Sequence, residues 1–294
     1  MISVIICSVN PQLLNNVTAN IKSTIGVPFE IIAIDNRNTG KGICKVYNEA
    51  AEKAMYDFLC FVHEDVIFHT KAWGGVLIQL LKDLSNVLVG VSGAVYKSDI
   101  PGSWVACQEI HYRANTLQHI IGLAKPGTAT YNPLQEKYSK VAVIDGVFMG
   151  TRKSLWSLHK FDDKLLNGFH AYDLDFSLSL GTSGSICVSH EILLEHFSEG
   201  SFSSLWLHDT IQIHKKWKNS LPCNKLHPSK RDRDSDYISC VALLSHLLKQ
   251  NNNRLKVIQY YLLLNACFFR RNRLRFTKSV FCYLFGLQII TNNK

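Results

Sequence analysis

Strand-like and helix-like patterns alternate through the first hundred residues of this 294-residue chain, and no other feature constrains the fold as strongly. β-Branched and aromatic runs predict buried strands, and apolar residues three and four apart predict the helices between them. The predicted strands cover residues 2–8, 29–34, 58–62 and 87–95, and the predicted helices cover residues 12–25, 43–56 and 72–84. This alternation favours an α/β fold with a doubly wound, mostly parallel sheet, whose binding edge lies at the carboxyl ends of the strands.

Three adjacent polar residues, His63, Glu64 and Asp65, interrupt an apolar run over residues 58–68. Burying such groups is costly unless they have partners. A carboxylate at the carboxyl end of a strand can hold a divalent cation, and the cation can hold a diphosphate. Alternatively, His63 and Asp65 only cap the turn or helix that follows, and this segment alone favours neither interpretation.

The composition restricts the partners and the compartment. The chain has 32 Lys and Arg against 23 Asp and Glu, a net charge of +9, which favours anionic partners such as nucleotide phosphates, acidic membrane or nucleic acid without choosing among them. The nine cysteines include no Cys-x-x-Cys pair, which favours buried free thiols in a reducing compartment. The N-terminus lacks a basic region and a small-residue cleavage site, so it is predicted to be a strand rather than a signal peptide. We therefore expect a cytoplasmic location.

The second half of the chain is less regular. Residues 97–140 are predicted to form loops and edge strands, residues 141–149 a strand, and residues 169–180 include a helix. Composition shifts near Asn219. We predict an α/β catalytic domain over residues 1–220, a polar linker over residues 221–236 and a basic, apolar helical extension over residues 237–294.

The predicted extension has two helical patterns, at residues 237–250 and 254–269, followed by an arginine cluster at residues 270–275. An interfacial helix with Lys and Arg on its polar face would contact anionic lipid, which predicts peripheral contact at the inner face of a membrane. The alternative is a helical appendage packed on the catalytic domain. No apolar run is long enough to predict a transmembrane helix.

Four features follow one another in a fixed order: Asp35 at a strand end, the triplet 63–65, the segment 168–175 with its Asp173 and Asp175, and the segment 195–201 with His196. In this order they resemble the family-2 glycosyltransferases of the GT-A fold, and the similarity covers roughly residues 1–205. The resemblance implies metal-dependent transfer, with inversion, of a sugar from a nucleotide diphosphate. UDP is the expected nucleotide, the acceptor is a glycan or lipid-linked, and the setting is surface polysaccharide synthesis.

The resemblance also implies roles for individual residues. The implied donor-binding residues are Asp35, His63, Glu64 and Asp65. The implied ligands of Mn²⁺ or Mg²⁺ are Asp65 and His196. The implied acceptor-binding residues are Asp145, Gly146 and Asp175. Asp173 matches the catalytic base of the family. A divalent cation would offset charge on the leaving diphosphate, and a carboxylate on the opposite face would take the proton of the acceptor hydroxyl.

Structural alternatives exist for these roles. Asp35 could be a turn residue, Asp173 a carboxylate favoured by the helix dipole, and His196 a core histidine. Trp73, Trp104 and Trp156 could stack on a sugar, although core packing is the preferred interpretation.

Two positions depart from the family pattern: His63 stands in place of an Asp and Tyr172 in place of a Glu. These departures keep open a second function, a non-catalytic nucleotide- or glycan-binding module on the same fold. A nucleic-acid partner is not expected, because the sequence contains no recognisable helix-turn-helix, RNA-recognition or zinc pattern.

Overall fold

The computed structural model describes residues 1–119, 127–198, 200, 202–228 and 230–250, and within the last part of the chain residues 255, 257–262, 280, 281 and 285. The strands are β1 Ile2–Ser8, β2 Phe29–Asp35, β3 Phe58–Val62, β4 Val66–Phe68, β5 Asn86–Gly90, β6 Ser92–Ala94, β7 Tyr96–Lys97, β8 Tyr112–Gln118, β9 Gly127–Tyr131, β10 Tyr138–Val141, β11 Val143–Ile144, β12 Phe148–Arg152, β13 Ser185–Ser189, β14 Leu194–His196 and β15 Cys223–Asn224. The helices are α1 Pro11–Thr24, α2 Ile43–Lys53, α3 Trp73–Lys82, α4 Lys153–Leu158, α5 Tyr172–Leu180, α6 Ser204–Lys216 and α7 Arg233–Lys249.

A seven-stranded sheet in the order β10-β13-β5-β12-β3-β1-β2 forms the centre of the molecule. Strand β1 pairs in parallel with both β2 and β3, as the alternating patterns predict. The structure refines this prediction at β12, which runs antiparallel between β3 and β5 and makes the sheet mixed. The α/β fold class is confirmed.

Both faces of this sheet are buried. Ile5 and Phe61 pack into a core cluster that contains residues of α2 and α5. Their strand neighbours Val4 and Cys60 pack into a second cluster with residues of α1 and α3. Because successive strand residues point to opposite faces, strands covered by helices on both sides consist of continuous apolar runs.

A second sheet, in the order β11-β6-β8-β14-β4 with β9 alongside β8, covers part of the binding edge. Two strands predicted from the sequence are each divided. The predicted strand 87–95 becomes β5 and β6, and the predicted strand 141–149 becomes β11 and β12. The second division has a local cause, because Asp145 Oδ1 accepts a hydrogen bond from the Val147 N–H, 2.8 Å away, and turns the chain.

The predicted linker, residues 221–236, is a structured connection. Within it, β15 pairs with β7, Arg231 binds Asp99 at 2.6 Å, and Asp232 caps the N-terminus of α7. Helix α7 packs on α6 in a shared apolar cluster that includes Leu207 and Leu244. The domain boundaries stay a prediction, but the described part of the extension is in contact with the preceding residues.

Most of the predicted helix 254–269 and all of the arginine cluster 270–275 lie outside the described residues. Among the residues that the structure describes, no helix is both long and apolar enough to cross a membrane.

Candidate active site

A cavity of about 340 Å³ lies near the ends of β3 and β14 and the N-terminus of α5. Its wall contains seven residues to which the sequence analysis draws attention: His63, Trp104, Asp145, Gly146, Tyr172, Asp173 and His196. The described structure therefore brings together residues that are as much as 133 positions apart in the chain, from 63 to 196.

Three potential metal ligands meet beside this cavity. His63, Asp65 and His196 each offer one atom, and these atoms lie within 4.8 Å of one another. Asp65 Oδ1 is 3.8 Å from His63 Nδ1 and 3.5 Å from His196 Nε2. The antiparallel pairing of β14 with β4 creates the group, because it places His196 opposite Val66, next to Asp65.

The electrostatics of this group favour an ionised carboxylate. Burial alone would raise the pKa of Asp65, but the hydrogen bond and positive charge offered by His196 hold it well below its usual range. Burial, together with His196, lowers the pKa of His63 and favours its neutral form. Two imidazoles and one carboxylate suit Mn²⁺ better than Mg²⁺, which prefers oxygen ligands. The donor set thus fits the predicted metal.

Asp173 is the second residue of α5 and is partly buried in the cavity wall. Its Oδ2 accepts a hydrogen bond from the Gly146 N–H at 3.2 Å and its Oδ1 accepts one from the Leu174 N–H at 2.8 Å. Burial and the negative charge of Asp145 raise the pKa of Asp173 to about 7. A carboxylate with this pKa can accept a proton near neutral pH.

Asp145 lies beside Asp173 in the cavity wall. Its Oδ2 accepts a hydrogen bond from Trp104 Nε1, 2.6 Å away. Asp145 and Gly146 therefore both line the cavity, and their acceptor-binding role stays a prediction.

Three of the four predicted donor-binding residues lie outside the cavity lining, and of these only Asp65 stands beside it, in the group of potential metal ligands. Asp35 stands at the end of β2, exposed, and forms an ion pair with Arg37 at 2.6 Å. This arginine lowers the pKa of Asp35 to about 2. Glu64 accepts hydrogen bonds from Ser8 Oγ at 2.6 Å and from the Val9 N–H at 3.1 Å. These contacts give Glu64 a structural role in the turn after β1, and binding of the donor by either residue stays a prediction.

Asp175, a predicted acceptor-binding residue, also lies outside the cavity lining and is buried. Its carboxylate accepts a hydrogen bond from Trp217 Nε1 at 2.7 Å and forms an ion pair with Lys216 at 2.9 Å. These contacts give Asp175 a structural role, because they join α5 to the end of α6, and its acceptor-binding role stays a prediction.

Sequence reasoning missed the aromatic character of the cavity. Trp73 and Trp156 are buried in the core as expected, but Trp104 lines the cavity with Phe169, Phe202 and Trp206. Phe169 and Phe202 are 49% and 47% exposed. Two signals are available in the sequence: Trp104 is a candidate for stacking on a sugar, although core packing is the preferred interpretation, and Phe169 lies within the segment 168–175.

Comparison with known proteins identifies the family to which the chain belongs. The chain matches the model of a family described as "Glycosyltransferase like family" over residues 3–215. A comparison with curated proteins gives no match.

Two solved structures resemble the fold. One is the crystal structure of GalNAc-T7 with UDP, GalNAc and Mn²⁺, at 11% identity, with 90% of this chain and 54% of that chain covered and a TM-score of 0.54. The other is S. aureus TarS 1–349, at 13% identity, with 92% and 80% covered and a TM-score of 0.52. At these identities the likeness shows the fold alone, which is of the GT-A type. The chain spans about half the length of the GalNAc-T7 chain.

Proposed function

Because this chain belongs to the glycosyltransferase-like family, whose model covers residues 3–215, we propose that it is a metal-dependent inverting glycosyltransferase. The proposed reaction moves a sugar from a nucleotide diphosphate, with UDP as the expected nucleotide, to a glycan or lipid-linked acceptor. One observation carries the proposal. A single cavity joins a group of metal-competent side chains to a carboxylate whose pKa is raised to about 7.

The donor diphosphate would bind at His63, Asp65 and His196. Mn²⁺, when bound there, would offset the negative charge that develops on the leaving diphosphate. His196 is held for this task by hydrogen bonds at both ring nitrogens, from Nδ1 to Gln118 Oε1 and between Nε2 and Ser198 Oγ, each 3.2 Å long. GalNAc-T7, which shares the fold, was crystallised with UDP and Mn²⁺, and this supports the choice of UDP and manganese.

Asp173 would act as the base. As the acceptor hydroxyl attacks the anomeric carbon, a carbon–oxygen bond forms, the bond to the diphosphate breaks, and the hydroxyl proton passes to Asp173. One displacement of this kind inverts the configuration at the anomeric carbon. A positioned base contributes roughly 10²–10⁴ in rate.

The acceptor would enter along the aromatic part of the cavity. Trp104, fixed by its hydrogen bond to Asp145, and the half-exposed Phe169 and Phe202 offer faces on which sugar rings stack. A role in polysaccharide synthesis at the inner face of a membrane is part of the proposal and rests on the sequence resemblance.

Nucleotide binding tests the donor half of the proposal. Thermal shift would be measured with UDP, GDP, CDP and dTDP, with and without Mn²⁺, on the wild type and on Asp65→Ala. We expect one nucleotide, at about 100 times its Kd, to raise the melting temperature of the wild type by a few degrees. This rise should require Mn²⁺ and should be absent in Asp65→Ala.

Asp83→Ala is the matched control, because Asp83 is exposed and precedes β5 at the opposite edge of the sheet. It should respond to nucleotide like the wild type. A wild type that responds to none of the four nucleotides would contradict the proposal and leave Asp65 with a structural role.

A further inference from the structure

The two residues that depart from the family pattern are in direct contact. The Tyr172 hydroxyl lies 2.7 Å from His63 Nε2, although the residues are 109 positions apart in the chain. The contact joins the candidate metal group to the first residue of α5, and the next residue of that helix is Asp173.

The Tyr172 hydroxyl has a fixed position. The residue is only 5% exposed, and its ring packs against Tyr47 and Phe161, with centroid distances of 5.9 Å and 6.4 Å. Gly146 leaves room for the hydroxyl, because a Cβ at that position would lie 2.3 Å from the Tyr172 oxygen. Packing therefore holds the hydroxyl in place whether or not a ligand is present.

The two ring nitrogens of His63 face different residues. Nε2 contacts Tyr172, whereas Nδ1 lies 3.8 Å from Asp65 Oδ1. His196 has a similar arrangement, because its Nδ1 contacts the Gln118 carbonyl oxygen at 3.2 Å and its Nε2 lies 3.5 Å from the same Asp65 oxygen. Each histidine thus has one nitrogen held by a neutral oxygen and the other beside Asp65, and in His196 this second nitrogen also lies 3.2 Å from Ser198 Oγ.

We propose that Tyr172 is a positioning residue that orients His63 so that Nδ1 serves the metal group. In this arrangement the Nε2–H of His63 donates to the phenol oxygen, and the lone pair of Nδ1, on the Asp65 side of the ring, would be available to a cation held by the same group. Histidines that bind metals usually donate the other N–H to such a partner, and removing it weakens metal binding about 10–100-fold. This inference rests on the metal dependence in the proposed function. It goes further by giving a joint role to His63 and Tyr172, the two residues that stand in place of carboxylates of the family pattern.

Affinity for Mn²⁺ alone tests the inference without turnover. The free Mn²⁺ signal in electron paramagnetic resonance would be titrated with the wild type, Tyr172→Phe and Tyr47→Phe. Tyr47 is the matched control, because it belongs to the same aromatic cluster and its buried hydroxyl has no hydrogen-bond partner among the described residues. We expect Tyr172→Phe to weaken Mn²⁺ binding about 10–100-fold and Tyr47→Phe to leave it within twofold.

A double-mutant cycle separates positioning from a general packing defect. In the His63→Ala background, Tyr172→Phe should cause no further loss of Mn²⁺ affinity, because the residue it acts through is gone. Two results would overturn this inference but not the proposed function. One is an equal Mn²⁺ affinity of Tyr172→Phe and Tyr47→Phe. The other is a loss of Mn²⁺ affinity on Tyr172→Phe that is as large in the His63→Ala background as in the wild type. A folded wild type that binds no Mn²⁺ would overturn both the inference and the metal dependence of the proposed function.

Discussion

Asp173 is the residue on which the proposed chemistry depends, and its pKa follows from its surroundings. Burial and the neighbouring Asp145 carboxylate disfavour its ionised form, while the N–H groups of Gly146 and Leu174 oppose this effect. The resulting pKa of about 7 leaves a carboxylate that can take a proton in the neutral range, which a carboxyl of ordinary pKa does poorly.

Removing this buried charge should stabilise the protein at high pH. The folded-state pKa of about 7 exceeds the ordinary value of 3.8, so between these values the folded protein holds a proton that the unfolded chain has lost. The free energy of unfolding therefore falls as pH rises through this window. We expect Asp173→Asn to melt a few degrees above the wild type near pH 8 and at nearly the same temperature near pH 4.

Asp175→Asn provides the matched control for this measurement. It weakens the contacts with Lys216 and Trp217, so it should lower the melting temperature at both pH values. A difference between Asp173→Asn and the wild type that does not change with pH would show that the pKa of Asp173 is not raised.

At the residue scale, sequence reasoning located carboxylates but not their partners. The strand-end argument places Asp35 and Asp65 at the same edge of the sheet, and the structure agrees. The strand-end argument does not predict that Arg37 binds Asp35 or that Glu64 holds the turn after β1. The contacts of Glu64 depend on a tertiary neighbour 55 positions away, whereas the ion pair of Asp35 with Arg37 is local and the strand pattern does not reveal it.

At the scale of elements, the turn between β11 and β12 and the start of α5 fit together through one glycine. Gly146 donates its N–H to Asp173 and lies so close to Tyr172 that a Cβ would meet the ring and hydroxyl at 2.3–2.9 Å. The turn therefore positions both the proposed base and the residue that contacts His63.

Gly146→Ala should disrupt this fit. The methyl group forces Tyr172 or the turn to move, which should lower the free energy of unfolding by about 1–3 kcal/mol and weaken Mn²⁺ binding. The control is Gly75→Ala in α3, where a Cβ meets no atom within 4 Å and alanine should be neutral or stabilise the helix by up to about 1 kcal/mol. Chemical denaturation and Mn²⁺ titration would measure both effects, and equal behaviour of the two variants would contradict this packing.

The pairing of β14 with β4 could not be predicted from local patterns. Both strands have three residues, and their pairing joins positions near 66 to positions near 196. The sequence suggested Asp65 and His196 as metal ligands only through the resemblance to a known family. The antiparallel register now supplies the physical reason that they are neighbours.

At the scale of the whole molecule, the connection to α7 is anchored by a buried charge. Asp236 is 1% exposed and accepts hydrogen bonds from Tyr96 at 2.7 Å and Ser98 at 2.6 Å, and it forms an ion pair with Arg231. Tyr96 and Ser98 lie a few positions before the cavity residues Ser103 and Trp104, so this network ties α7 to the catalytic part.

Asp236→Ala should therefore destabilise the molecule as a unit. It leaves two buried hydroxyls without their acceptor, which should cost about 1–3 kcal/mol each, and it removes one of the two carboxylates that bind Arg231, which keeps Asp99. The matched control is Asp234→Ala on the same helix turn, which should cost less. Differential scanning calorimetry should show one transition moving to lower temperature, whereas a shift confined to a separate second transition would show that the extension unfolds independently.

The first hundred residues were easier to predict than the rest for a physical reason. Strands buried on both faces are continuous apolar runs, and the helices between them repeat every three to four residues. The described residues of the segment 97–140 include short strands with polar and aromatic residues, such as β7 and β8, whose pairing depends on distant partners. For the same reason the second sheet and the aromatic cavity wall were not predicted.

Donor turnover by the wild type and Asp173→Asn tests the central claim most directly. Nucleotide release from the sugar donor that binds would be followed with Mn²⁺ and a panel of glycan and lipid-linked acceptors. We predict that the wild-type rate rises with pH through about 7, the pKa of Asp173, and that Asp173→Asn binds the donor equally well but turns over at least about 100-fold more slowly. Near-normal turnover by Asp173→Asn would contradict the assignment of the base, and a wild type that binds the donor without consuming it would be a binding module rather than an enzyme.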